Sequence, residues 1–186
     1  MDPAYWADVL QQRQTDYLVD AGAANELDFL SLRSFVVQAL GDAAAYQHVR
    51  QPNATYKQIH SRIRDAVHRV SAHVLDGNPV PLIVLAHSLG SHIISSYVWD
   101  SQHGSATGAD PHGTSFERME WLAGMVTFGS TIPLFTFAFD PAVAVSFPGS
   151  ALPDEIGVSA SPASHGAYWT DNDFTRPVAE LIASFI

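Results

Sequence analysis

Ser88 has the sequence setting of a reactive residue. The stretch "LIVLAHSLGSHII" (82 to 94) joins an unbroken apolar run to a segment of different period, with a serine at the junction. Small residues, Ala86 and Gly90, stand two positions to either side. A tight strand-to-helix turn lifts a serine clear of its sheet and crowds its neighbours, which favours the pattern G-x-S-x-G. Here the pattern reads Ala86-His87-Ser88-Leu89-Gly90, with alanine for the first glycine. A serine hydroxyl becomes an effective nucleophile toward an acyl carbonyl when a base within hydrogen-bond reach takes its proton. The N–H of Leu89, at the start of the following helix, is placed to donate to the oxyanion of the tetrahedral intermediate. The plain alternative is a helix N-cap, where serine is common. Only the context, a buried strand before and an amphipathic helix after, separates the two.

The base must be sought among nine histidines. His60, His68 and His73 share one helical stretch, but their spacings of eight and five are not the four-residue spacing of a helical metal pair. His87 abuts Ser88, and adjacent side chains at a sharp turn diverge, so it is expected to pack beside the turn. His92 falls four past the serine, and His103 and His112 fall in a polar loop. His165 lies 77 residues after Ser88, in a loop containing proline and glycine just before the last helical stretch. No metal site or cofactor is expected, and the absence of cysteine excludes disulfides and thiolate zinc sites.

The elements that must position these residues can be read from periodicity. The first part of the chain, 1–75, reads as helical. "ELDFLSLRSFVVQALGDAAAYQH" (26 to 48) carries Leu27, Leu30, Phe35, Val36, Ala39 and Leu40 at roughly a helical period. "TYKQIHSRIRDAVHRVSAHVL" places Ile59, Ile63, Val67, Val70 and Val74 on one stripe. Its Lys57, Arg62, Arg64 and Arg69 read as a solvated face. "DGNPVP" (76 to 81) ends that helix. "LIVLA" then reads as a strand buried on both faces, as in a parallel sheet. After Gly90, Ile93, Ile94, Tyr97 and Val98 return to a helical period. "WLAGMVTFGS" (121 to 130) reads as a second buried strand, and "RPVAELIASFI" as a closing helix with Pro177 near its start. Alternating helix and strand imply an α/β domain with a parallel sheet.

Length and charge narrow the partners. With 186 residues the chain suits one domain with a full-sized core, or the greater part of a larger one. A net charge of −10 argues against nucleic acid and anionic membranes as main partners. "MDPAYWADVL" lacks a basic segment followed by an apolar core, and no run reaches the length of a membrane span. The expectation is a cytoplasmic protein.

Three stretches together resemble the α/β-hydrolase superfamily, specifically its lipase- and esterase-like members. "LIVLAHSLGSHIIS" resembles the nucleophile elbow, "VTFGSTIPLF" the next strand and its Gly-Ser exit, and "SPASHGAYWTDNDF" the histidine loop with its aromatic pair, Tyr168 and Trp169. The resemblance covers roughly residues 55 to 135 and 158 to 186, and the family chain order is serine, acid, histidine. It implies one α/β-hydrolase-like domain over 1–186, a parallel sheet flanked by helices, with the elbow at 82–94 and the histidine loop at 158–174. It implies that Ser88 attacks a carboxylic ester, that His165 is the general base, and that the substrate is a small molecule. Phe135, Phe137 and Phe139 suit an apolar acyl or aryl group.

The acid is the least determined member. Asp140 follows "LFTFAF", which is too close to the preceding strand to be its parallel neighbour. Asp171 and Asp173 come after the histidine, against the family order. Asp154 and Glu155 remain, just beyond the possible strand "AVAVSF", and Asp154 is the candidate. Too little chain separates the second strand from His165 for the family's remaining strands, and no strand with an oxyanion loop precedes the first helices. Two accounts fit: a reduced sheet, or a chain lacking segments, particularly between Glu155 and Ile156. Two other functions share these residues: a non-catalytic binding protein of the same fold, and an acyltransferase using the same nucleophile.

Overall fold

The helix that "TYKQIHSRIRDAVHR" forms shows how the described part of the chain is organised. In the computed structural model, which describes residues 3–20, 30–46, 54–74, 80–103, 113–130 and 172–185, this helix runs Ala54–Arg69 and continues as a π-helical turn, Val70–Val74. Ile59, Ile63 and Val67 are buried, as the stripe requires. Thr55, Tyr56 and Ala66 join them, widening the buried face to include a hydroxyl and a phenol. Burial of one such isoleucine side chain contributes about 2 kcal/mol. Lys57, Arg62 and Arg69 are exposed, in keeping with a solvated face.

The helices are α1 (Asp8–Asp20), α2 (Leu30–Ala45), α3 (Ala54–Arg69), α4 (Leu89–His103) and α5 (Asn172–Ala183), and the strands are β1 (Leu82–His87) and β2 (Leu122–Phe128). The class is α/β, mostly helical among the described residues, with a two-stranded sheet. Leu82 N–H donates to the Trp121 carbonyl at 2.8 Å and Ser88 N–H to the Phe128 carbonyl at 3.0 Å. Both strands therefore run the same way, and the register advances by one residue on β2 between the two bonds. Parallel pairing needs a crossover, and α4 supplies it. The strands are less enclosed than an unbroken apolar run suggests. In β1 only Ala86 is buried and the other five residues are half-buried.

The described chain falls into two compact units. The first comprises Met1–Leu82 and Ile93–Gly124 and holds α1, α2, α3 and most of α4. In it, Gln14 of α1 donates to Asp42 Oδ1 of α2 at 2.6 Å and to the Gln38 carbonyl at 3.3 Å. The two helices approach closely at Gly41, where a Cβ would lie 3.2 Å from Gln14 Nε2. This contact sets the face of α2. Ser34, Val37, Gly41 and Ala45 are half-buried, whereas Phe35, Val36 and Leu40 are exposed, Leu40 by 65%. The inward face of α2 is thus the small-residue face and not the large apolar one. Arg62 of α3 pairs with Asp8 of α1 at 2.7 Å, an exposed pair worth well under about 1 kcal/mol.

The second unit comprises Ile83–His92 and Met125–Ile186. It holds the end of β1, the turn at Ser88, the first turn of α4, the end of β2, and α5. In α5 the helix starts at Asn172, so Pro177 stands inside it and not at its start. A proline there leaves one helical carbonyl without its N–H partner.

Candidate active site

Strand β1 ends at His87 and helix α4 begins at Leu89, leaving Ser88 alone to turn the chain. Its φ is 55°, in the left-handed region, one of two non-glycine residues so placed among those described. The conformation costs a non-glycine residue roughly 1–3 kcal/mol and persists only where surrounding bonds enforce it. Three such bonds are present. Ser88 N–H is held by the Phe128 carbonyl of β2 at 3.0 Å. The Ser88 carbonyl accepts Ser91 N–H at 3.0 Å. The Ser91 hydroxyl reaches back to the Ala86 carbonyl at 3.1 Å.

The backbone at Ser88 bears on the N-cap alternative. An N-cap residue has β-region backbone, and its side-chain oxygen accepts an N–H from the first turn. Ser88 has the opposite sign of φ, while the bond from Ser91 N–H to its carbonyl is what any helix start shows. Ser88 itself is half-buried. The first N–H groups of a helix have no carbonyl four residues back within it, so the start of α4 presents donors on the side of the turn. Leu89 buries its side chain there.

The neighbours are arranged in part as the pattern suggests. Ala86 is buried. At Gly90, however, a Cβ would meet nothing within 4 Å among the described residues, so crowding there does not account for the glycine. His87 packs beside the turn, its ring stacked on Phe128 with centroids 5.1 Å apart. Gly129, directly after Phe128, also has a left-handed φ of 53°, so β2 ends in a sharp turn next to the elbow's anchor. His92 is half-buried, and burial holds its imidazole below the usual histidine range.

His165 and Asp154 lie outside the described residues, as do Phe135, Phe137, Phe139, Tyr168 and Trp169. Ser88 and Leu89 are therefore the two predicted site residues whose geometry is described. Among the described residues, no group of three or more His, Cys, Asp or Glu side chains is placed to hold a metal ion.

A second polar group, within the first unit, has no counterpart in the motif reading. Asp100 of α4 is 2% exposed. The Tyr56 hydroxyl donates to its Oδ2 at 2.7 Å, and His60 Nδ1 lies 3.6 Å from the same oxygen. His60 Nε2 is 2.7 Å from the Tyr46 hydroxyl. The rings of Tyr46 and Tyr56 stack with centroids 4.8 Å apart, and His60 lies tilted against Tyr56 at 4.1 Å. Burial pushes the Tyr46 and Tyr56 phenols above the ordinary tyrosine range, so both stay protonated donors. Hydroxyl, imidazole and carboxylate follow one another as in a proton relay, but with Tyr46 only 2% exposed no substrate can approach. The group joins the end of α2 to α3 and α4.

The sequence contained a signal for this group. Tyr56 and His60 are four apart in the same helix, with Ile59 and Ile63 between and beyond them. Hydrogen-bonding side chains bordering an apolar stripe must find partners when buried.

No protein-family model, curated protein or solved structure matches this chain. The hydrolase resemblance therefore rests on the residues that carry it in the sequence.

Proposed function

We propose that this chain is a serine hydrolase of the α/β-hydrolase type, cleaving carboxylic esters through an acyl-enzyme on Ser88. The observation that carries the reading is the φ of 55° at Ser88, a non-glycine residue at a strand-to-helix junction. Such strain is concentrated at active sites, and a nucleophile elbow requires it whereas a helix cap does not.

The chemistry follows. Ser88 Oγ attacks the ester carbonyl while His165 takes its proton. The oxyanion that forms is met by the Leu89 N–H. Collapse of the intermediate breaks the ester C–O bond, and the proton on His165 goes to the leaving alcohol. Water repeats the sequence on the acyl-enzyme and releases the acid. Asp154 holds the His165 ring in the productive tautomer.

The test is labelling by a fluorophosphonate, read as intact mass. The wild-type chain should gain one adduct and Ser88→Ala none, and the wild type should hydrolyse a short-chain nitrophenyl ester. A wild-type chain that takes no label returns Ser88 to a structural role and favours a binding protein. Label retained in Ser88→Ala places the nucleophile elsewhere. Ester product formed from an added alcohol in preference to hydrolysis would make the chain an acyltransferase.

A further inference from the structure

Ser91 has no part in the chemistry above, yet it is the most completely buried polar side chain described, at 0% exposure. It bonds on both sides of Ser88. Its N–H holds the Ser88 carbonyl at 3.0 Å, and its hydroxyl holds the carbonyl of Ala86, two residues before Ser88, at 3.1 Å. The first bond alone is an ordinary feature of a helix start. The second is not, because it spans from the helix back onto the strand across the turn. A five-residue reach from a helix serine to a strand carbonyl exists only while the turn keeps its sharp shape.

The remaining anchor of the turn, Ser88 N–H to the Phe128 carbonyl, fixes the elbow against β2. It does not fix the angle between the last residues of β1 and the first turn of α4, both within the second unit. The Ser91 hydroxyl does, because it joins the end of one to the start of the other. That angle sets where the Ser88 Cβ points and where the Leu89 N–H lies relative to it. Nucleophile and oxyanion donor have to be held together to within a fraction of an ångström to be effective.

Resting on the reading of Ser88 as nucleophile, we infer that Ser91 is a positioning residue, its hydroxyl bond to the Ala86 carbonyl holding the strained turn in its reactive shape. Loss of the hydroxyl lets the turn relax without removing any group that touches substrate. The chemical step slows, while binding of the reagent is unchanged.

The experiment measures phosphonylation of the full chain by a fluorophosphonate at several reagent concentrations. In this reaction the Ser88 Oγ–P bond forms, the P–F bond breaks, fluoride leaves, and the serine proton passes to the base. Ser91→Ala should lower the limiting rate about 10- to 100-fold, with half-saturation by reagent unchanged. Ser91→Thr keeps the hydroxyl and should recover most of the rate. Circular dichroism and thermal melting establish that each variant is folded at the assay temperature. Should Ser91→Ala melt too low, Ser91→Cys keeps the volume, weakens the donor, and should show the same loss of limiting rate. A folded Ser91→Ala or Ser91→Cys that labels at the wild-type rate overturns the role of Ser91 and leaves the nucleophile intact. A loss that Ser91→Thr does not reverse also overturns it. A wild-type chain unlabelled at Ser88 overturns both readings together.

Discussion

The Tyr56 hydroxyl donates to Asp100 Oδ2 at 2.7 Å in a place that water does not reach. Burying a carboxyl group is costly unless donors meet its oxygens, and His60 stands as the second group at 3.6 Å. Tyr56→Phe keeps the ring and removes the hydroxyl, which also interacts with that of Tyr46. Leaving a buried acceptor without its donor costs about 1–3 kcal/mol, so urea unfolding should show a loss in that range. Tyr56→Phe combined with Asp100→Asn should cost less than the sum of the two, since they share a partner. Additive costs would show that the bond contributes nothing.

His92 gives a pH dependence with a defined sign. Its folded pKa is depressed by burial below the usual 6.5, so the unfolded chain binds the proton first as pH falls. The stability it contributes is complete above the unfolded value and is lost as pH drops through and below 6.5. Unfolding free energy measured between pH 8 and about 5 should therefore decline at the acid end. His92→Gln should flatten that decline. An unchanged slope in His92→Gln would assign the proton uptake to other groups.

Ser88 should show a conflict between stability and reactivity. At a left-handed position glycine avoids a penalty of about 1–2 kcal/mol that any side chain incurs. Ser88→Gly should be more stable than Ser88→Ala by about 1 kcal/mol, with neither variant labelled. Thermal melting of the two side by side gives the comparison. Equal stability would mean that the turn is not strained in solution.

His165 and Asp154 are tested by activity. On the proposed function, His165→Ala should remove ester hydrolysis with the circular dichroism spectrum unchanged, because it deletes only the proposed proton carrier. In a complete triad, loss of the orienting carboxylate costs about 10⁴ in turnover, so Asp154→Asn should be nearly as damaging. A loss under about tenfold would move the acid to another carboxylate.

What the sequence made legible divides along physical lines. Regular spacing marked α3 through Ile59, Ile63 and Val67, and α4 through Ile93, Ile94 and Tyr97, because each stripe has one solvent face and one packed face. The junction at Ser88 was legible because strand and helix periods meet there. The inward face of α2 was not. Its large residues Phe35, Val36 and Leu40 outweigh Gly41 and Ala45 in any hydropathy reading, and only the approach of Gln14 reveals that the small side packs. Helix α1 falls within the stretch 1–75 read as helical, but no stripe marked its bounds, since Leu10 is its one buried residue. Of the group of Tyr46, Tyr56, His60 and Asp100, only the Tyr56 and His60 pair on α3 had a local spacing; Tyr46, just past α2, and Asp100 of α4 share none with them. The left-handed φ of Ser88 was implied by the turn, but the anchors that enforce it, Phe128 and Ser91, become visible only in three dimensions.

The bond from Ser88 N–H to the Phe128 carbonyl joins residues forty positions apart. Bringing such distant segments together carries a loop-closure cost that local contacts do not, and parallel strand pairing is slow for that reason. Isolated helical turns such as those of α3 and α4 form on the microsecond scale or faster. In a refolding chain the helices therefore come first, and Ser88 has no reason to hold a positive φ until β2 has docked beside β1. Its left-handed turn is a late product of folding, so on the proposed function the return of nucleophilicity would time the closing of the sheet, trailing the recovery of helix content.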